Sequence, residues 1–219
     1  GSGIDKHNLE HSIYDVLTGE CNLAEAMQFS EHGGYQLLPA NRDLTAAEVA
    51  LLEMKMKESR LRYALAPIRE NYDYILIDCP PSLGVLTLNG LTAADEAIVP
   101  LQCETLAHRG VGQFLRTVND VQQITNPDLR LLGALPTLYD TRTTHSRDVL
   151  LDVADRYSLV VLAPPIPRTV RFAEASASGA SAGSSLSSSL SCMALLESLS
   201  PRGTAGGSSA SSLSSSSSP

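Results

Sequence analysis

Apolar positions recur at helical spacing in several stretches and as near-continuous short runs in others. Leu9, Ile13, Val16 and Leu17 fall at i, i+4, i+7 and i+8, and Gly19 stands where a helix would end. Asn22 is placed to cap a shorter helix through Met27. Tyr35 to Leu38 reads as a short strand stopped by Pro39. Thr45-Ala46-Ala47-Glu48 has the form of a capping box, which predicts a helix through about Lys57. Leu61, Leu65 and Ile68 mark another stripe. Tyr74-Ile75-Leu76-Ile77 is a strand with no polar alternation, the pattern of a strand buried on both faces of a parallel sheet. Ala97 to Leu101 is a second such run. Val111, Phe114, Leu115, Val118 and Val121 predict a long amphipathic helix. Leu131–Leu135 and Leu159–Leu162 read as strands around a helix at Arg147–Tyr157. Alternation of strands and helices predicts an α/β fold with a parallel sheet.

Composition divides this picture in two. The 219 residues carry 16 basic and 24 acidic side chains, a net charge of −8. Of those 40 charges, only Glu197 and Arg202 lie beyond residue 175, where 20 of 44 positions are serine. Such a segment has too little apolar surface to offset its ordering entropy. The expectation is a folded part over 1–175 and a serine-rich low-complexity tail over 176–219 without ordered structure. Met193-Ala194-Leu195-Leu196 is the tail's one compact apolar run. No apolar run reaches the roughly 18–20 residues of a membrane span, and the N-terminus has no apolar signal core. Cys21, Cys79, Cys103 and Cys192 form no CxxC pair, which argues against a zinc site and suits a reducing compartment. With a net negative charge, any face for nucleic acid has to be local.

The strongest chemical signal is the strand that ends in Asp78 and runs into Cys79-Pro80-Pro81-Ser82-Leu83-Gly84. A strand-end carboxylate stands at the carboxyl edge of the sheet, where α/β folds bind ligands. It is suited to a Mg²⁺ that bridges phosphates, and equally to capping a turn. The two prolines stiffen that turn, while Gly84 leaves backbone room. The phosphate loop GxxxxGK[ST] does not occur: the only lysines are Lys6, Lys55 and Lys57, and none follows glycine. Gly110-Val111-Gly112 lies within a helical pattern and is no dinucleotide fingerprint. His7 and His11 share a helix face without a third ligand nearby, and Cys79 reads as a small buried residue.

The segment Asp78 to Gly84 resembles the Walker B and second switch of the ParA/Soj partitioning ATPases, deviant-Walker P-loop proteins of the MinD/ParA class. The resemblance continues in order. It takes in Tyr35 to Leu44, Val99-Pro100-Leu101-Gln102-Cys103-Glu104, Leu138-Tyr139-Asp140-Thr141-Arg142-Thr143, and Ile166 to Ala175. It covers roughly residues 3–175. It implies a P-loop NTPase-like parallel sheet flanked by helices, here lacking the first strand and phosphate loop. It also implies ATP and Mg²⁺ as cofactors, and a truncated fragment inactive in hydrolysis. The break near Ala175 falls inside a motif, which suggests either a linker or a reading-frame shift.

By the resemblance, Asp78 is the metal-binding carboxylate, and Pro80, Pro81, Ser82 and Gly84 form the switch that senses the γ-phosphate. Pro165, Ile166, Pro167 and Arg168 border the adenine, or else form a rigid proline turn. Glu104 more simply favours a helix N-terminus. Arg142, Arg168 and Arg171 are candidates for sequence-independent DNA contacts; a plain surface pairing of Arg142 with Asp140 is the rival reading. The implied partners are a ParB-like protein, non-specific DNA and a second copy in an ATP-bound homodimer, with no membrane. The implied location is cytoplasmic and nucleoid-associated. A MinD-like cell-division regulator and a non-catalytic α/β binding module are the alternatives. Loss of a central first strand is expected to leave Ile75 and Ile77 at an open edge and the fragment prone to aggregate.

Overall fold

The computed structural model describes residues 3–5, 8–31, 33–103, 107–140, 142–168 and 192–197. Two short helices come first, α1 (Ile13–Thr18) and α2 (Leu23–Ala26). Ser12 caps α1 in a reciprocal box with Asp15, and Gly19 closes it at a left-handed φ of 86°. Asn22 and Glu25 form the same kind of box at α2. A small hairpin of β1 (Gln28–Ser30) and β2 (Tyr35–Leu37) follows. Helices α3 (Leu44–Leu52) and α4 (Arg60–Leu65) then lead to β3 (Tyr74–Cys79). Next come α5 (Val85–Ala93), β4 (Glu96–Gln102), α6 (Ala107–Ile124), β5 (Arg130–Thr137) and α7 (Thr144–Tyr157). The last described element is β6 (Cys192–Glu197).

The main sheet has the order β3-β6-β4-β5. β4 and β5 are parallel, as the alternation predicts, with one bulge near Ala97. β6 runs antiparallel to both of its neighbours, pairing Ile77 with Ala194 on one side and Ala97 with Ala194 on the other. The sheet is therefore α/β in plan but mixed in direction, and the antiparallel member comes from the serine-rich tail. The expectation of no ordered structure beyond residue 175 fails at these six residues. The reason is local: the tail's apolar run fills a slot whose two walls otherwise present unpaired backbone groups. The side of β3 that faces β4 is accordingly paired, while β3 remains the last strand of the described sheet. Ile75 and Ile77 are partly buried, opposite Leu196 and Ala194.

Two clusters form the core. Leu91, Val99, Leu101, Val111, Phe114, Val118 and Val153 pack where α5, α6 and α7 meet β4. Leu17, Leu23, Leu51, Leu61 and Leu65 pack the N-terminal helices together. Ala194 belongs to the first cluster and Leu196 to the second, so β6 joins them. The predicted stripe of α6 is the buried one. Asn126 caps the end of α5 by donating to the carbonyls of Leu91 (3.0 Å) and Ala94 (2.7 Å).

Three other expectations need correction. β3 is not buried on both faces, since Tyr74 is 58% and Leu76 is 66% exposed; among the described residues it has one strand neighbour and one helix-covered face. The capping box at Thr45 does not form: Asp43 is the N-cap residue, Thr45 lies inside α3, and no side chain caps the helix. Leu159–Leu162 makes only a single bridge, Ala134 to Val161, with the Val160 carbonyl accepting from Ala134 and the Leu162 amide donating back to Ala134. Pro164 and Pro165 follow at once and have no amide hydrogen to extend the ladder.

Candidate functional site

β3, β4 and β5 all run the same way, so Asp78-Cys79, Gln102 and Thr137 end at one edge of the sheet. Asp78 is its foremost group. No described residue donates a hydrogen bond to its carboxylate or pairs with it. Burial of the carboxyl by its surroundings pushes its pKa above the usual aspartate value, although part of the side chain reaches the surface. A partly desolvated carboxylate without a protein partner is one a cation would stabilise.

The turn after Asp78 is held rigidly. Thr87, fully buried in α5, donates its hydroxyl to the carbonyls of Ser82 (2.6 Å) and Pro80 (3.2 Å). Ser82 in turn donates to Oε1 of Glu48 on α3 (3.2 Å). Gly84 is the N-cap residue of α5, and a Cβ there would stand 3.0 Å from that same Glu48 oxygen. Below the turn, Asn89 is buried and fully used. Its amide donates to the carbonyls of Lys57 (2.6 Å) and Val85 (2.8 Å), and its oxygen accepts from the Leu61 amide (3.0 Å). Pro80, Pro81, Ser82 and Gly84 thus form one braced loop next to Asp78.

Pro165, Ile166, Pro167 and Arg168 extend the end of β5. The Ile166 amide donates to the Pro136 carbonyl (2.8 Å), Tyr139 donates to Ile166 (3.0 Å), and Arg168 donates to Tyr139 (3.1 Å). This loop shares the sheet edge with Asp78, with β6 and β4 standing between them. Thr137, only 5% exposed, lies between the two groups on β5, opposite Gln102. Its hydroxyl has no hydrogen-bond partner among the described residues. A buried polar atom left over at a ligand edge is what a bound polar group would satisfy.

Arg142 is 87% exposed, and its guanidinium forks onto Asp140 with contacts of 3.1 and 3.2 Å. The side-chain hydrogen bond from Arg142 holds the Asp140 carboxyl below the ordinary range. The plain surface pairing is therefore realised. Arg168 stands exposed nearby, adding to the positive field on Asp140. Arg171 and Glu104 lie outside the described residues. Thr87 and Thr137 carry no motif and Glu48 only the capping box that does not form, so all three are missed as site residues by sequence reasoning. Only Thr87 leaves a trace, as a polar residue on the first turn of a helix that follows a turn rich in free carbonyls.

Among the described residues no three His, Cys, Asp or Glu side chains cluster as a metal cage. No helix among these residues is long and apolar enough to cross a membrane.

Residues 1–131 match a domain family described as an AAA domain. An uncharacterised protein of Pseudomonas putida is 56% identical over 179 residues, 82% of this chain and 68% of that protein. The chromosome partitioning protein ParA of Caulobacter vibrioides is 42% identical over 181 residues, 82% of this chain and 68% of its own length. A solved structure named cobyrinic acid a,c-diamide synthase, from Mycobacterium smegmatis, carries a bound ATP analogue and magnesium. It is 62% identical, covering 80% of this chain and 75% of that one, with a TM-score of 0.73.

Proposed function

The chain belongs to the ParA/Soj family of P-loop partitioning ATPases, and on that footing we propose that Asp78 holds the Mg²⁺ of a bound ATP. The observation that carries this reading is the unpaired, partly desolvated carboxylate at the sheet's ligand edge, next to a braced turn. The relative solved with an ATP analogue and magnesium supports it. Bound there, the metal would neutralise charge on the phosphates during phosphoryl transfer. Asp78 orients it, and the Pro80–Gly84 turn is the segment that registers the terminal phosphate. The bracing by Thr87 and Glu48 fits a switch with two discrete arrangements, because a change at the phosphate is passed to α5 and α3. Pro165 to Arg168 border the base at the other end of the edge.

The wider reading follows the family. An ATP-bound homodimer binds DNA without sequence preference, and a ParB-like protein stimulates turnover. Arg168 and Arg171 are the DNA contacts this reading prefers, because Arg142 is already engaged by Asp140. Phosphate contacts of that kind lose affinity with salt. No phosphate loop occurs in these 219 residues, so the chain by itself hydrolyses ATP at background rate.

The test is ATP turnover with Mg²⁺ and DNA, with and without the N-terminal segment of the Pseudomonas putida relative fused ahead of residue 3. Turnover is expected only in the fusion and is lost on Asp78→Ala. Robust turnover that survives Asp78→Ala would sink the assignment. The 62% identity to the protein named as a diamide synthase favours one rival, ATP-dependent amidation. DNA-stimulated turnover of the fusion separates the two, since amidation gives no reason for DNA dependence.

A further inference from the structure

The tail strand meets β3 in a backbone register that pairs two cysteines. Cys79 is the last residue of β3 and Cys192 the first of β6, and they are direct partners in the antiparallel ladder. Directly opposed residues in such a ladder have Cα atoms about 4.5 or 5.5 Å apart, according to the hydrogen-bonding position. Either spacing lies within the roughly 4.4–6.8 Å that a disulfide spans. We propose that Cys79 and Cys192 form a reversible disulfide that locks the tail strand into the sheet.

Three further observations favour this pair. Cys79 is a free, buried thiol whose sulfur lies against Gly90 of α5, where a Cβ would stand only 2.6 Å away. Glycine at that position leaves the sulfur room. Cys103, the other buried thiol, stands past the end of the β4–β6 ladder, which closes at Ile98 and Met193. Counting from Val99, level with Cys192, it is four residues on, about 13 Å along the strand, too far to bridge without moving the backbone. Cys21 lies between α1 and α2, remote in sequence from both strands. The link would also act where it matters. Among the described strands β6 alone joins β3 to β4, so a bond at its first residue fixes the whole junction one residue from Asp78.

The chemistry is thiol–disulfide exchange with a small-molecule disulfide. One cysteine thiolate attacks a sulfur of oxidised glutathione and releases one glutathione thiol. The second thiolate then attacks the mixed disulfide and releases the other. Two protein thiols are oxidised and one glutathione disulfide is reduced to two thiols. In a reducing compartment the pair stays open and β6 is held by its ladders to β3 and β4 and by packing; under oxidation it is stapled.

The experiment treats the full chain with oxidised glutathione and maps linked peptides by mass spectrometry under non-reducing conditions. A Cys79–Cys192 peptide is expected in monomeric protein. It disappears with dithiothreitol and in Cys79→Ser and Cys192→Ser, and persists in Cys21→Ser and Cys103→Ser. The locked chain should melt roughly 5–10 °C higher, because the link closes a loop of more than a hundred residues. Glutathione adducts without a cross-link, a link through Cys103, or a link found only in covalent dimers would each overturn the proposal. A second variant guards against misreading a negative. Leu76 and Leu195 are also direct partners, so L76C/L195C with the native cysteines replaced by serine reports the ladder independently. If that pair links and the native pair does not, the strand is in place and the redox lock is refuted.

Discussion

β3 and β4 are nearly indistinguishable as strings of apolar residues, and the fold treats them differently. β4 lies between β6 and β5, and Ala97, Val99 and Leu101 are completely buried against the α5–α6 side of the core. β3 ends the sheet. Its inward residues Ile75, Ile77 and Cys79 pack on the core clusters, while Tyr74 and Leu76 on the other face meet solvent. Burial here is a property of position in the sheet rather than of hydropathy. Parallel sheets are ordinarily covered on both faces, and Tyr74 and Leu76 stand out as an apolar pair on a face that meets solvent.

The sharpest way to break the comparison is to remove the strand that separates the two. Ala194 sits between Ile77 and Ala97, wholly inaccessible. Ala194→Asp places an unpaired carboxylate there, at a cost above about 4 kcal/mol. Loss of cooperative melting, seen by circular dichroism, is the expected outcome. A variant that melts normally would mean that β6 does not hold the sheet together.

The next test weighs the two strands directly. Leu101→Ala on β4 should lose about 3 kcal/mol in urea unfolding, the cost of a cavity in a closed core. Leu76→Ala on β3 should lose less than about 0.5 kcal/mol, since the side chain is already two-thirds in water. Equal losses would contradict the difference in burial. A smaller effect is expected at the turn beyond β3. Thr87→Val keeps the shape of the side chain but strips the hydroxyl that gathers the carbonyls of Pro80 and Ser82. About 1–2 kcal/mol is expected, together with faster proteolysis at Pro80–Gly84 and no change elsewhere.

Sequence reasoning reads most of the first 168 residues well, and the reasons are physical. The stripe Val111, Phe114, Val118, Val121 has one period and one environment, so it predicts α6 directly. Asp78 is legible because a strand-end carboxylate before two prolines is a local pattern. What the sequence hides is what depends on distant neighbours. Glu48 looks like half of a capping box, yet it serves Ser82 across the fold. Thr137 is an ordinary strand residue until its hydroxyl is found buried without a partner. The six residues of β6 are too few and too isolated by serine to signal a strand. They acquire that structure because a slot with two unsatisfied walls accepts them, an instance of tertiary context overriding local propensity.

The smallest expected effect, and the most diagnostic in sign, lies at Asp78. Burial raises its pKa in the folded chain, so the native state holds that proton more tightly than the unfolded state does. The stability this proton contributes is complete at pH below the ordinary aspartate value and is lost as pH rises through the folded value. At neutral pH the charged carboxylate therefore opposes folding. Asp78→Asn removes the charge with little change of shape, and should be slightly more stable than the parent at pH 7. The advantage should shrink towards zero as the pH falls and the parent's carboxyl takes up its proton. A cation separates this effect from a merely structural one: millimolar Mg²⁺ should stabilise the parent more than the asparagine variant if the carboxylate binds it, and equally if it does not. Urea titrations of both proteins across that pH range, with and without the ion, read the sign directly. A variant less stable than the parent at pH 7 would place the Asp78 carboxylate among the groups that hold β3 in the sheet. The strand end would then be a structural joint and no longer a site left open for a ligand.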